Sequence, residues 1–419
     1  MLYATYELRR ALGDRVCDVI ELNAKALAGV SGPLRASRTV RASRAAAEVA
    51  GALRLTHVRP SFRVDSVTIG GREVAVTEEI VTGTPFGSLV RFAKETDAVT
   101  GVESGVEQPR ILVVPGLAGH FATLVRGTIS TLLQDHEVYV ADWHNARDVP
   151  ISEGRFGLDE YVEHLIAFLR AIGPGTHLMA VCQPVVACIA AASIMAEDDD
   201  PAQPASLILL AGPVDARVNP GKVNKFATRQ PLTVLERTVV HTVPRAYAGA
   251  GRKVYPGFLQ IAGFMGMDPR RHMSAFSGLF RDVNRGDVVQ TARTKEFYDE
   301  YFAVLDVTAE FYLDTVRAVF QDHDLARGQF YWRGRHVQPG LITSALLTIE
   351  GGNDEIVRPG QTEAAHGLCT GIPASSRQHH LQAGVGHYGV FSGSRFDNEI
   401  YPEIRSFVAA AERPLAVAL

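Results

Sequence analysis

The chain has 419 residues, 46% of them hydrophobic and 21% charged, with a formal net charge of −4. This is the composition of a globular protein with enough chain to bury a large core. A mildly acidic balance offers no electrostatic footprint for nucleic acid, and no apolar run approaches the roughly 18–20 residues that span a bilayer. The four cysteines, Cys17, Cys182, Cys188 and Cys369, are far apart and form no C-x-x-C. That argues against a disulfide framework or a zinc site and fits a reducing compartment.

The opening residues, Met1 to Arg10, lack the apolar core of a signal peptide, so the sequence predicts a cytoplasmic protein. Residues 1–60 read as a helical arm broken at Ser31-Gly32-Pro33. In its second half Arg35, Arg38, Arg41 and Arg44 recur every third residue and fall along one side of a helix. The bland reading is a solvated basic face, and the functional one is contact with an anionic surface.

Residues 61–212 read as the first part of an α/β core. Val64 to Ile69 and Glu73 to Val81 alternate around Gly70-Gly71, a hairpin signal. Short apolar strands follow at Ile111 to Val114, Val138 to Ala141, Leu178 to Val181 and Ser206 to Leu210. Helices are predicted at Tyr161 to Ile172 and Pro184 to Glu197. About 130 residues separate the strand Ser206 to Leu210 from the next apolar strand, Leu346 to Ile349, far more than one βα unit needs. Residues 213–340 are therefore predicted to be a mainly helical cap insertion, and residues 341–419 the second part of the core. The fold class is α/β, with a mostly parallel central sheet covered by helices on both faces. The insertion is rich in Tyr255, Phe258, Phe264, Met265, Met267, Met273, Phe276 and Phe280. Ordinary cap core and a surface for an apolar substrate are the two readings. His120, Tyr255, Phe258, Phe264, Met265, Met267, Met273 and Phe276 are the candidate substrate contacts, with His120 equally readable as structural.

The chemistry centres on His177-Leu178-Met179-Ala180-Val181-Cys182-Gln183-Pro184. An apolar strand runs into a cysteine and a helix begins after it, the layout of a nucleophile elbow. No G-x-S-x-G occurs, so the nucleophile of such an elbow is a thiol. Ala180 supplies the small residue at minus two. Pro184 at plus two departs from the pattern but is tolerated in a first helical turn. Gln183 keeps the N–H that serves an oxyanion hole in this geometry. The positive end of the helix dipole suits an anionic nucleophile. Cys188, among Val185, Val186, Ile189 and Ala190, reads as buried and inert. The loop Val114-Pro115-Gly116-Leu117-Ala118-Gly119-His120 offers a second oxyanion donor, Leu117. Asp354, just past the late strand and favoured over Glu355, is the candidate acid. His387, in Gly384-Val385-Gly386-His387-Tyr388-Gly389, is the candidate base. His379 and His380 are alternatives placed in a final strand, Gln378 to Ala383. The order Cys182, Asp354, His387 is that of an α/β-hydrolase triad. No H-E-x-x-H, H-x-x-x-H or G-x-x-x-x-G-K is present, so metal and phosphate motifs fail.

These residues resemble an intracellular polyhydroxyalkanoate (poly-3-hydroxybutyrate) depolymerase. The resemblance covers nearly the full length. It rests on Met1-Leu2-Tyr3, on Ala180-Val181-Cys182-Gln183-Pro184, on Glu350-Gly351-Gly352-Asn353-Asp354 followed by Gln361-Thr362, and on Gly386-His387-Tyr388-Gly389. It implies a triad of Cys182, Asp354 and His387, and a substrate stored as cytoplasmic polyester granules whose surface is the partner. Related polyester synthases also use Cys, Asp and His, but their usual cysteine box is G-x-C-x-G, and this chain lacks both glycines. No cofactor is expected, though coenzyme A stands beside water as an acyl acceptor. Neither nucleic acid nor a membrane span is expected, and a homo-oligomer is compatible with the sequence. The alternatives are a synthase-like acyltransferase, a non-catalytic granule-coat protein and a soluble esterase or thioesterase.

Overall fold

The structure is a computed structural model that describes residues 2–28, 37–95, 108–267 and 269–412. The expected break at Ser31-Gly32-Pro33, and Arg35, lie outside the described residues, as do the side chains of Arg38 and Met267.

The strands before the insertion are β1 (Ser66–Ile69), β2 (Arg72–Gly83), β3 (Gly87–Lys94), β4 (Arg110–Val114), β5 (Glu137–Trp143), β6 (His177–Val181) and β7 (Ser206–Leu210). Within the insertion lie the short β8 (His241–Thr242), β9 (Lys253–Tyr255), β10 (Val307–Thr308), β11 (Tyr331–Trp332) and β12 (Arg335–His336), and β13 (Ala345–Gly351) and β14 (Arg377–Gln382) follow. Nine of them form one sheet in the order β1-β2-β3-β5-β4-β6-β7-β13-β14. Strand β3 is antiparallel to both neighbours, while every pairing from β5 through β14 is parallel. That crossover between β4 and β5, preceded by the antiparallel pairings of β1 to β3, is the α/β-hydrolase arrangement. At the expected hairpin Gly70 and Gly71 take φ of +56° and +80°. Only glycine adopts such a pair without strain, and the resulting turn matches the twist of β1 and β2.

Alternation along the central strands decides which face each side chain meets. Leu112, Val114, Leu178, Ala180, Leu207 and Leu209 enter one core, with the helices Leu158–Ile172 and Val185–Glu197. Ile111, Val113, Met179, Val181, Ile208 and Leu210 enter the other. Both faces are covered, so these strands read as unbroken apolar runs. In chain order the helices used here are α1 (Leu2–Ala28), α2 (Arg38–Ala52), α3 (Arg126–Leu132), α4 (Leu158–Ile172), α5 (Val185–Glu197), α6 (Gly257–Met267), α7 (Pro269–Arg285), α8 (Val288–Tyr301) and α9 (Tyr401–Ala411). Helix α5 is buried on every side from Val185 to Met195, which is why its sequence shows no polar face.

Strand β3 is an addition to the sequence expectation. Its charges hide it, and the fold satisfies them. Arg91 pairs with Glu137 at 2.6 Å, and Lys94 Nζ donates to the carbonyls of Leu133 and His136 at 2.5 and 2.8 Å.

The insertion docks on the core through the glycine loop. Leu305 N–H donates to Gly119 O at 3.0 Å, and His120 bridges to Val304. Gly119 has φ +88°, and a Cβ there would lie 2.9 Å from Gln260 of α6. The arm is tied down by its aromatic and polar side. Tyr3 O–H donates to Asp306 Oδ2 at 2.5 Å, and Tyr6 stacks on Phe258 at 3.7 Å between ring centroids. The opposite side of α1 carries Leu8, Leu12, Val16, Val19 and Leu22, each 55–69% exposed. Spacings of four and then three residues align them as one apolar stripe facing outward. On α2, Arg41 and Arg44 are exposed. Among the described residues no helix is long and apolar enough to cross a membrane.

Candidate active site

The site lies at the ends of β6 and β13. Cys182 follows β6 directly, with φ +68°, a left-handed conformation that costs a non-glycine residue roughly 1–3 kcal/mol and persists only where surroundings enforce it. Two contacts enforce it. Cys182 N–H donates to Leu210 O at 2.8 Å. Behind the turn stands Gly212, where a Cβ would lie 2.2 Å from Val185 Cγ1 and 2.6 Å from Cys182 O. Pro184 sits at the N-cap of α5 with φ −72°, and its carbonyl accepts from Cys188 N–H at 2.8 Å. A proline at this position therefore forfeits no helical hydrogen bond. Cys188 is buried in the core, and burial raises its thiol pKa well above the ordinary value.

Three side chains distant in sequence meet here. His387 Nε2 lies 3.2 Å from Cys182 Sγ, and His387 Nδ1 lies 2.7 Å from Asp354 Oδ2. The other oxygen, Asp354 Oδ1, accepts from the N–H groups of Ile356 and Val357, both at 2.8 Å. Asp354 and His387 are each 4% exposed, whereas Cys182 is partly open. Burial alone would lower the pKa of His387. The Cys182 sulfur and the Asp354 carboxylate outweigh it and raise that pKa well above the ordinary value. Glu355 is exposed, with one oxygen 3.4 Å from where a Cβ on Gly386 would sit. His379 Nδ1 pairs with Thr348 Oγ1, and His380 Nε2 with Gln382 Oε1. Both lie on β14, away from Cys182.

The glycine loop closes the other side. A Cβ on Gly116 would lie 3.8 Å from both Cys182 Cβ and Gln183 N, so this loop packs against the elbow. Leu117 N–H donates to the side-chain Oε1 of Gln183 at 3.2 Å. His120 is buried, 5.7 and 5.1 Å from the rings of Phe264 and Tyr301, and burial lowers its pKa to about 4.

A cavity of about 30 Å³ is lined by Phe264, Arg271, His272, Phe297, Tyr301, Glu355, Ile356 and Tyr388. That is room for a water, not for a polymer chain. Of the candidate substrate contacts whose side chains are described, only Phe264 lines it. Phe258 is covered by Tyr6 and Tyr3, Tyr255 packs on Tyr312, and Met265 joins a cluster with Tyr298 and Phe302. Met273 is 68% exposed. Phe276 packs on Tyr298 and lines a groove against Ala46, Val49 and Leu53 of the arm. Tyr388, Tyr301, Phe297 and Arg271 were not singled out from sequence. Tyr388 alone had a signal there, its place beside His387.

Among the described residues Glu350, Glu363 and His379 bring ligand-type atoms within 4.8 Å of one another. Glu350 already accepts from the N–H groups of Gly360, Thr362 and Glu363, and Thr362 Oγ1 in turn bridges to Gly212. The buried carboxylate thus braces the acid-bearing turn against the elbow.

Residues 211–412 match the family model described as PHB de-polymerase C-terminus. Over these residues, just under half of the chain, this α/β-hydrolase is similar to that family. A curated relative of this α/β-hydrolase is the poly(3-hydroxyalkanoate) polymerase subunit PhaC of Haloferax mediterranei. It is 22% identical over 293 residues, 68% of this chain and 54% of the relative. The chain thus spans about half the length of the curated relative it matches. Similar solved structures include a monoacylglycerol lipase of Paleococcus ferrophilus, with 13% identity and a TM-score of 0.43 over 73% of this chain and 96% of that one. A thermophilic esterase of Thermogutta terrifontis has 14% identity and a TM-score of 0.42 over 81% and 99% of the two chains.

Proposed function

We propose that this chain is a carboxylic ester hydrolase that cleaves stored poly-3-hydroxybutyrate through a Cys182–His387–Asp354 triad and a thioester acyl-enzyme. The observation that carries the reading is the unbroken chain of contacts from Cys182 Sγ through the His387 ring to Asp354, in a protein whose residues 211–412 match the depolymerase family.

His387 Nε2 takes the Cys182 proton, and its raised pKa favours the imidazolium that results. Asp354 fixes the ring's tautomer and orientation. The sulfur adds to an ester carbonyl carbon, and the N–H groups of Gln183 and Leu117 receive the oxyanion. Collapse breaks the C–O bond. His387 returns the proton to the leaving oxygen, and the shortened polymer departs as an alcohol. Water then gives a proton to His387 and adds to the thioester carbonyl. The C–S bond breaks, His387 returns that proton to the departing Cys182 sulfur, and a 3-hydroxyacid or oligomer is released. With coenzyme A's thiol in place of water the product is hydroxybutyryl-CoA.

A cytoplasmic granule surface is the proposed site of action. The outward apolar stripe of α1 supports attachment there, since an amphipathic helix binds an apolar surface in proportion to the area it buries. The exposed stripe suits this role better than the Met- and Phe-rich insertion, where Phe258 and Met265 face inward.

The test is to feed amorphous granules with and without coenzyme A, quench within one turnover, and weigh the Cys182 peptide. An acyl adduct on Cys182 and hydroxybutyrate or its CoA ester as product are expected. A second reading, a synthase-like acyltransferase, is favoured by the similarity to the polymerase subunit. Coenzyme A release with polymer growth from hydroxybutyryl-CoA would decide for it.

A further inference from the structure

The proposed oxyanion site is already occupied. Leu117 N–H, one of its two backbone donors, is held by the side-chain carbonyl of Gln183 at 3.2 Å. An amide oxygen is a close stand-in for an ester carbonyl oxygen: sp², neutral and a good acceptor. Gln183 supplies the other donor from its own backbone, so one residue both builds the site and fills it. The filling is easily reversed. Gln183 is only half-buried, its side chain has rotatable bonds, and a neutral hydrogen bond at 3.2 Å lies at the long end of the usual range.

We infer that the Gln183 side chain is an intramolecular competitor for the oxyanion site, which each substrate carbonyl must displace before attack. This rests on the reading of Cys182 as nucleophile given above. A competitor that leaves when substrate binds raises KM for every ester by the same factor and leaves kcat alone, because the transition state is reached with the plug already out. Its effect is thus to select by local concentration. Dilute soluble esters and thioesters are disfavoured, while a polyester surface, where esters are crowded, is turned over at the full rate.

The test uses the full chain with 4-nitrophenyl butyrate. Gln183→Ala removes the plug, and Gln183→Met removes its acceptor while keeping its length, which guards against a loss of packing. Both keep the backbone N–H of residue 183, and both are expected to lower KM by about 2- to 10-fold, the equilibrium weight of one hydrogen bond, and so to raise kcat/KM. An unchanged or higher KM in both variants overturns the inference. So does a fall in KM for Gln183→Ala alone, which would assign the effect to bulk. A wild type with no Cys182-dependent turnover of this ester overturns the inference together with the nucleophile. A wild type that cleaves it through Cys182 but releases nothing from granules overturns only the polyester reading, and the KM comparison still decides the role of Gln183.

Discussion

His387 Nε2 stands 3.2 Å from Cys182 Sγ across a separation of 205 residues. The two reach each other because β6 and the turn after β14 end on the same edge of the sheet, where β13 places Asp354 behind the imidazole. Loss of either neighbour of His387 has a separate expected signature.

Replacing Asp354 by Asn keeps an oxygen for the N–H groups of Ile356 and Val357 but turns a donor toward His387 Nδ1. The wrong tautomer then faces Cys182. The expected result is a fall in kcat of about 10⁴-fold with little change in KM, read from steady-state kinetics on a soluble ester.

The charge on His387 links the site to stability. Its folded pKa is raised well above 6.5 by Cys182 and Asp354, against an opposing burial effect. A raised folded pKa gives a contribution that is fully present below the unfolded value of about 6.5 and is lost as pH rises through the folded value. Wild type should therefore lose its stability advantage over Asp354→Asn as pH climbs through the folded value. Urea unfolding across that range, with the His387 ring followed by NMR, checks it. An advantage that grows with pH would contradict the assignment.

Gly212 has no space for a side chain, since a Cβ would sit 2.2 Å from Val185 Cγ1. Gly212→Ala should cost about 1–3 kcal/mol through overpacking and displace the elbow, so that alkylation of Cys182 by iodoacetamide slows along with ester turnover. Denaturant midpoints and alkylation rates report the two effects.

Helix α1 is expected to hold the protein on its substrate without taking part in chemistry. The double variant Leu8→Glu, Leu12→Glu should sediment with granules less than wild type, keep its kcat on a soluble ester, and change stability by no more than about 0.5 kcal/mol per exposed position. Unchanged sedimentation would remove α1 from this role.

The sequence made the core legible where one physical rule dominated. Strands β4, β6 and β7 are buried on both faces, so their composition alone announced them. Gly70-Gly71 announced the hairpin because that turn needs positive φ twice. Candidate residues for the site were legible because an elbow, a glycine loop and a turn after a strand each impose a local pattern. Strand β3 was not legible, since its Arg91 and Lys94 find their partners only after folding. Phe258 looked like a contact for an apolar substrate, but Tyr6 of the arm claims it. The arm itself inverts the usual rule, burying Tyr3 and turning the half-buried Tyr6 and Glu7 toward the protein while its leucines face out. Periodicity gives the stripe on α1 but not the side to which it turns. No pattern in the chain signals that the Gln183 side chain would meet Leu117 N–H, because that contact depends on a rotamer across two loops.

The most direct test of the account is the rate of hydroxybutyrate release from native amorphous granules by wild type and by Cys182→Ala, matched for folding and granule binding. Release by wild type and its loss by several orders of magnitude in Cys182→Ala is the predicted result. Release by Cys182→Ala at the wild-type rate would contradict the thiol nucleophile and the mechanism built on it.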